Sequence, residues 1–93
     1  MPVFRGLDAY KQISDIFNIP CYIKSFSLTN DSGSSVDATV AITSTEYPDY
    51  IIYSGTILQN DCVLYDVPIK ILPGYAIFVT SNPSSINYYF TIE

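Results

Sequence analysis

The chain has no histidine, no tryptophan and only four cations among its 93 residues, and each shortage removes a class of function. Without histidine there is no Ser-His or Cys-His nucleophile pair, and the commonest zinc ligand and general base is missing. Arg5, Lys11, Lys24 and Lys70 are scattered along the sequence against nine carboxylates, for a net charge of −5. Phosphate-driven binding needs clustered Lys or Arg, and an anionic membrane surface attracts only polybasic segments, so neither nucleic acid nor membrane is an expected partner. No apolar run approaches the roughly 20 residues of a spanning helix. The opening MPVFRGLDAY lacks the apolar segment of a signal peptide, so the expected route involves no Sec export.

Reactive and ligating groups are equally sparse. Cys21 and Cys62 are too few and too far apart for a zinc motif, and as residues that each open a strand-like run they are expected to be free thiols. No GxSxG, P-loop or GxGxxG occurs. Asp31, Asp37, Asp49, Asp61 and Asp66 fall in or beside loops, where aspartate makes turns and discourages edge-to-edge association. Their spacing supports neither a calcium loop nor a glycosidase pair. A non-enzymatic protein without cofactor or metal is the expectation.

What the chain does have is apolar side chains, 48% of it, with only 14% charged against about a quarter in ordinary soluble domains. Nine tyrosines offer an apolar ring with a polar tip, which suits faces that pack on other proteins as well as ordinary sheet positions. A single domain of this length buries about 60–65% of its unfolded surface, so its stability is expected to be modest or supplemented by partners.

Residues 1–10 show no clean period and carry Pro2 and Gly6, and are read as an N-terminal arm preceding a sandwich domain over 11–93. Residues 12–19 turn apolar before Pro20, as one helical turn or an irregular edge strand, with the strand favoured. Cys21–Thr29 alternates and ends in Asn30, Asp31, Ser32, Gly33 and Ser34, a strand and tight turn. Residues 35–45 set Val36, Ala38, Val40 and Ile42 on one face and complete a hairpin. Further strands are expected over 50–54, 56–58, 62–66, 69–72, 75–81 and 86–92. Gly55 reads as a bulge or change of sheet, Val67 and Pro68 as an interruption at an edge, and Pro73-Gly74 as a type II turn. Tyr50 and Tyr53 fall on opposite faces by the two-residue period. Seven or eight short strands with turns every 8–12 residues predict an all-β antiparallel sandwich, jelly-roll or Ig-like, with a small barrel as the second possibility.

Three segments in order, DIFNIPCYIKSFSLTNDSGSSVDATVAIT, GTILQNDCVLYDVPIKILPGYAIFVTSN and SINYYFTIE, resemble small β-sandwich structural proteins of tailed bacteriophages. The chain departs from that pattern at Gly74-Tyr75, at Tyr88-Tyr89-Phe90 and in its first 14 residues. The resemblance implies a virion component, a capsid decoration or cement protein that binds the major capsid protein and stabilises the head. It further implies a homo-oligomer, with a trimer favoured, located in the virion after assembly in the host cytoplasm. The other role it implies is a head-fibre, neck or tail accessory module, and Tyr47, Tyr50 and Tyr53 with the pair Tyr88 and Tyr89, as rings that can stack on sugars, make glycan or receptor binding the alternative function. No site motif transfers with the resemblance. The residues expected at capsid or subunit interfaces are Phe4, Leu7 and Tyr10 in the arm and Tyr47, Tyr50 and Tyr75 in the sandwich.

Overall fold

A computed structural model describes residues 3–66 and 68–93. Met1 and Pro2 of the expected arm, and Val67 of the expected interruption, lie outside the described residues. Among the described residues nine strands form two antiparallel sheets: β1 (Val3–Asp8), β2 (Tyr10–Gln12), β3 (Cys21–Thr29), β4 (Val36–Thr43), β5 (Tyr50–Ile57), β6 (Cys62–Tyr65), β7 (Ile69–Ile71), β8 (Ala76–Asn82) and β9 (Ile86–Ile92). One sheet runs β1-β9-β3-β6, with β7 also paired to β3, and the other runs β2-β8-β4-β5. β6 and β7 both lie against β3, Tyr65 opposite Phe26 and Ile69 opposite Ile23, so they are one edge strand broken near Pro68, which has no N–H for a ladder. With β6 and β7 counted together, the two four-strand layers have the order of a jelly roll. Among the described residues there is no helix.

Alternation builds the core. Val36, Ala38, Val40 and Ile42 of β4 lie beside Ile77 and Val79 of β8 and face the inner side chains of the other sheet, Ile23, Phe26, Leu28, Ile86, Tyr88 and Phe90, all buried. The inner face of the first sheet carries an aromatic row across four strands. Phe4 pairs with Phe90, Phe90 with Phe26, and Phe26 with Tyr65.

The expected arm is part of this sandwich. Residues 3–8 pair with β9 from Val3 opposite Thr91 to Asp8 opposite Ile86, and after Ala9 the chain crosses to the second sheet as β2, beside β8. A boundary between residues 10 and 11 therefore falls inside a strand. The apolar segment that follows is an irregular edge tied to β8, Ile13 N–H donating to Ile77 O and Ile77 N–H to the buried Ser14 Oγ. Gly74 has φ +91°, as the third residue of a type II turn requires.

Gly55 is neither bulge nor sheet change, since β5 runs through it with Gly55 opposite Ala38. The irregularity lies three residues earlier, where Val40 pairs with Tyr53 and Ala41 with Ile51, leaving Ile52 extra. An extra residue reverses the alternation, so Tyr53 and Tyr50 stand opposite Val40 and Ile42 on the same face, correcting the expectation of opposite faces.

Candidate functional site

Tyr47 and Tyr50, around the start of β5, and Tyr75, just before β8, meet at one end of the sandwich. The Tyr75 ring lies 6.2 Å from Tyr47 in a near-parallel stack and 5.4 Å from Tyr50. Its hydroxyl donates to Pro48 O at 3.2 Å, and its backbone carbonyl accepts from Phe17 N–H. Tyr75 is 8% exposed and Tyr47 56%, so Tyr75 is the floor of the cluster and not itself an open contact. Tyr50 Oη reaches Lys70 O at 3.5 Å, and burial, then the neighbouring Tyr75, pushes its phenol pKa up. Ile16, Ile19 and Leu72, on the segments joined to Tyr75 by the Phe17 and Gly74 backbone bonds, are exposed as well. Asp15, Glu46 and Asp49 are exposed on these same segments. The end thus offers an apolar, aromatic surface with acidic residues among it.

The three arm residues separate. Phe4 is half-buried and packs on the core opposite Phe90, so it secures β1 to its own sandwich. Leu7 points outward and is exposed, and Tyr10, 79% exposed, stands edge-on to Phe78 at 4.8 Å. Around Tyr10 and Phe78 the outer face of the second sheet has a shallow depression of about 390 Å³, also lined by Ala41 and Thr80. A depression of about 470 Å³ on the outer face of the first sheet is lined by Arg5, Ser27, Thr29, Asn87 and Tyr89.

Asp8, which sequence reading left unassigned, faces inward. Tyr88 is buried in the core, and its hydroxyl emerges over Gly6 to donate to Asp8 Oδ2 at 2.7 Å. A Cβ on residue 6 would lie 2.6 Å from that hydroxyl, so glycine leaves the room the phenol occupies. Burial, then the bond to Asp8 and its negative charge, push the Tyr88 phenol up to about 12, against about 10 in an unfolded chain. A raised phenol stabilises the fold below the unfolded pKa, and that contribution disappears as pH rises through the folded one. The alkaline loss of stability between about pH 10 and 12 is therefore expected to be smaller in Tyr88→Phe than in the parent. Urea unfolding across that window checks this, and parallel loss in both proteins would contradict it.

Cys21 is half-buried, with its pKa raised by burial, and Cys62 is exposed; both are free. They sit at opposite ends of the pairing between β3 and the β6–β7 edge, Cys21 of β3 opposite Ile71 and Cys62 of β6 opposite Thr29, beyond disulfide reach. Among the described residues no three His, Cys, Asp or Glu side chains gather as a cation site. No family model, curated protein or solved structure matches the chain.

Proposed function

We propose that this protein is a non-enzymatic assembly module of a bacteriophage virion, a decoration protein that docks on the major capsid protein through its tyrosine-bearing end. The observation that carries this reading is the packing of exposed Tyr47 and Tyr50 on buried Tyr75, beside exposed Ile16, Ile19 and Leu72. Preordered aromatic side chains lose little entropy on docking and are enriched at energetically dominant contacts. The carboxylates of Asp15, Glu46 and Asp49 suit a partner whose apolar patch is rimmed by cations. Jelly rolls serve in capsids and in lectins alike, so the fold alone does not choose between roles; the sequence resemblance supports the capsid. Bound protein would stabilise the assembled shell by mass action, because it binds the assembled state in preference to free subunits.

The test is co-sedimentation with undecorated capsids of the source phage. Saturation at a simple fraction of the major capsid subunits is expected, with binding weakened about a hundredfold in Tyr47→Ser/Tyr50→Ser, as for loss of a central aromatic pair. Capsid binding unchanged in that folded double variant would reject the docking surface, and no saturable binding by the parent would reject the role.

A further inference from the structure

The depression on the outer face of the first sheet differs from the one around Tyr10, which has Gln12, Thr43 and Asp49 in its lining, in carrying a guanidinium and no carboxylate. Its residues are cross-strand neighbours. Arg5 of β1 pairs with Tyr89 of β9, and Tyr89 with Ser27 of β3, while one step along the ladder Leu7 pairs with Asn87 and Asn87 with Thr29. Arg5 and Tyr89, whose ring is 45% exposed, stand side by side, and the short polar side chains Ser27, Thr29 and Asn87 make a low floor beside them. Strands about 4.8 Å apart with same-face residues about 6.7 Å apart give this patch the footprint of a pyranose ring.

The polar groups are also held in place. Asn87 Nδ2 donates to Asp31 Oδ2 at 3.0 Å, which aligns a planar amide with a planar carboxylate. Asp31 follows Asn30, a fully buried residue whose own bonds fix that turn. The lining therefore combines a tyrosine ring, an amide that bonds Asp31, two hydroxyls and one guanidinium.

Sugars are recognised by such elements, ring C–H groups on an aromatic face and hydroxyls on planar polar side chains, with few convergent polar groups fixing orientation. A guanidinium adds a bidentate partner for a carboxylate. We infer that this face binds the terminal residue of an acidic saccharide, with Tyr89 under the ring, Arg5 on the sugar carboxylate, and Asn87, Ser27 and Thr29 on its hydroxyls. The site is remote from the tyrosine-bearing end. Lys70, whose carbonyl meets Tyr50, lies opposite Tyr22 on β3, and Thr29 is seven residues further along that strand, roughly 23 Å away. A module docked by one end leaves the other free for a surface sugar. The inference goes beyond the assembly reading and does not depend on it.

Methyl glucuronoside and methyl glucoside differ only at C6, carboxylate against hydroxymethyl, and serve as probes in amide NMR titrations of the full chain. Saturable shifts at Arg5, Ser27, Thr29, Asn87 and Tyr89 are expected with the glucuronoside, at the millimolar affinity usual for a shallow site. Affinity should fall about tenfold for the glucoside, and by a similar factor for the glucuronoside on Arg5→Gln, the worth of one charge-assisted pair. Tyr89→Ala should remove binding of both sugars while leaving capsid co-sedimentation unchanged. Absence of shifts in this patch, equal affinity for the two sugars, equal shifts with sodium acetate, or binding that survives in Tyr89→Ala would each overturn the inference.

Discussion

Asn30→Asp is expected to destabilise the domain by about 3–5 kcal/mol at neutral pH, from one of the smallest changes available to a side chain. Asn30 is fully buried, and its amide nitrogen donates to two carbonyls, Ser34 O at 2.7 Å and Ile57 O at 2.9 Å. Its Oδ1 accepts from Ser32 N–H and Ser32 Oγ. The backbone is committed too, N–H to Asp61 O and carbonyl from Asn60 N–H. One residue thereby joins the β3–β4 turn to the end of β5 and the β5–β6 turn. A carboxylate keeps the acceptor side but has no proton for the two carbonyls, leaving two buried acceptors facing a buried negative charge. Protonation restores one donor, so the folded pKa of the new carboxyl must lie above its unfolded value. The variant should be closest to the parent below the unfolded value of about 4 and lose ground as pH rises through the folded one. Urea unfolding at pH 3.5 and 7, about half a unit below and well above that unfolded value, measures both effects. A deficit below about 1 kcal/mol at pH 7, or one that does not shrink in acid, would mean that the turn does not need these bonds.

The sequence marked Asn30 only as a turn residue, because its partners Ile57 and Asp61 are about thirty positions away. The same limit explains β1. Val36–Thr43 and Ile86–Ile92 were legible because their inner faces are uniformly apolar, and Cys21–Thr29 because a turn ends it, although only a register shift between Ile23 and Ser25 brings Ile23 to the side of Phe26 and Leu28. In β1 the inner positions are Phe4, Gly6 and Asp8, and the outer ones include Val3 and Leu7, which inverts the signal beyond Phe4. Gly6 and Asp8 are there for Tyr88, whose hydroxyl fills the space over one and bonds the other, a requirement written 80 residues downstream. The bulge at Ile52 has no turn signal, and it alone puts Tyr50 and Tyr53 on one face. Composition suggested that tyrosines would mark an interface, and Tyr47, Tyr50 and Tyr75 do come together. The face of Arg5, Ser27, Asn87 and Tyr89 is assembled from three strands by register.

Truncating Phe26 to alanine is expected to cost about 3–5 kcal/mol, a large part of the 5–15 kcal/mol typical of a small domain. Phe26 is 1% exposed and lies in the middle of the aromatic row, stacked on Phe90 at 5.0 Å and 15° and on Tyr65 at 5.2 Å and 7°. Tyr53 meets it edge-on at 6.4 Å from the opposite sheet. Removing the ring loses its transfer free energy and leaves a cavity between two layers whose backbones are held by their own ladders and cannot close on it. Phe26→Leu keeps most of the volume and should cost about 1–2 kcal/mol. For a chain of this size, 4 kcal/mol lowers Tm by roughly 20 °C, readable by calorimetry. Because Tyr53 is the β5 ring that meets Phe26, edge strand β5 should lose amide-exchange protection first, ahead of the central pair β3–β9. A double-mutant cycle with Phe90→Leu separates stacking from burial, since only contact between the rings produces a coupling of about 0.5–1.5 kcal/mol. A cost below about 2 kcal/mol for the alanine variant would show that the sheets collapse onto the gap, and that the hydrogen-bonded ladders rather than this aromatic row set the spacing between them.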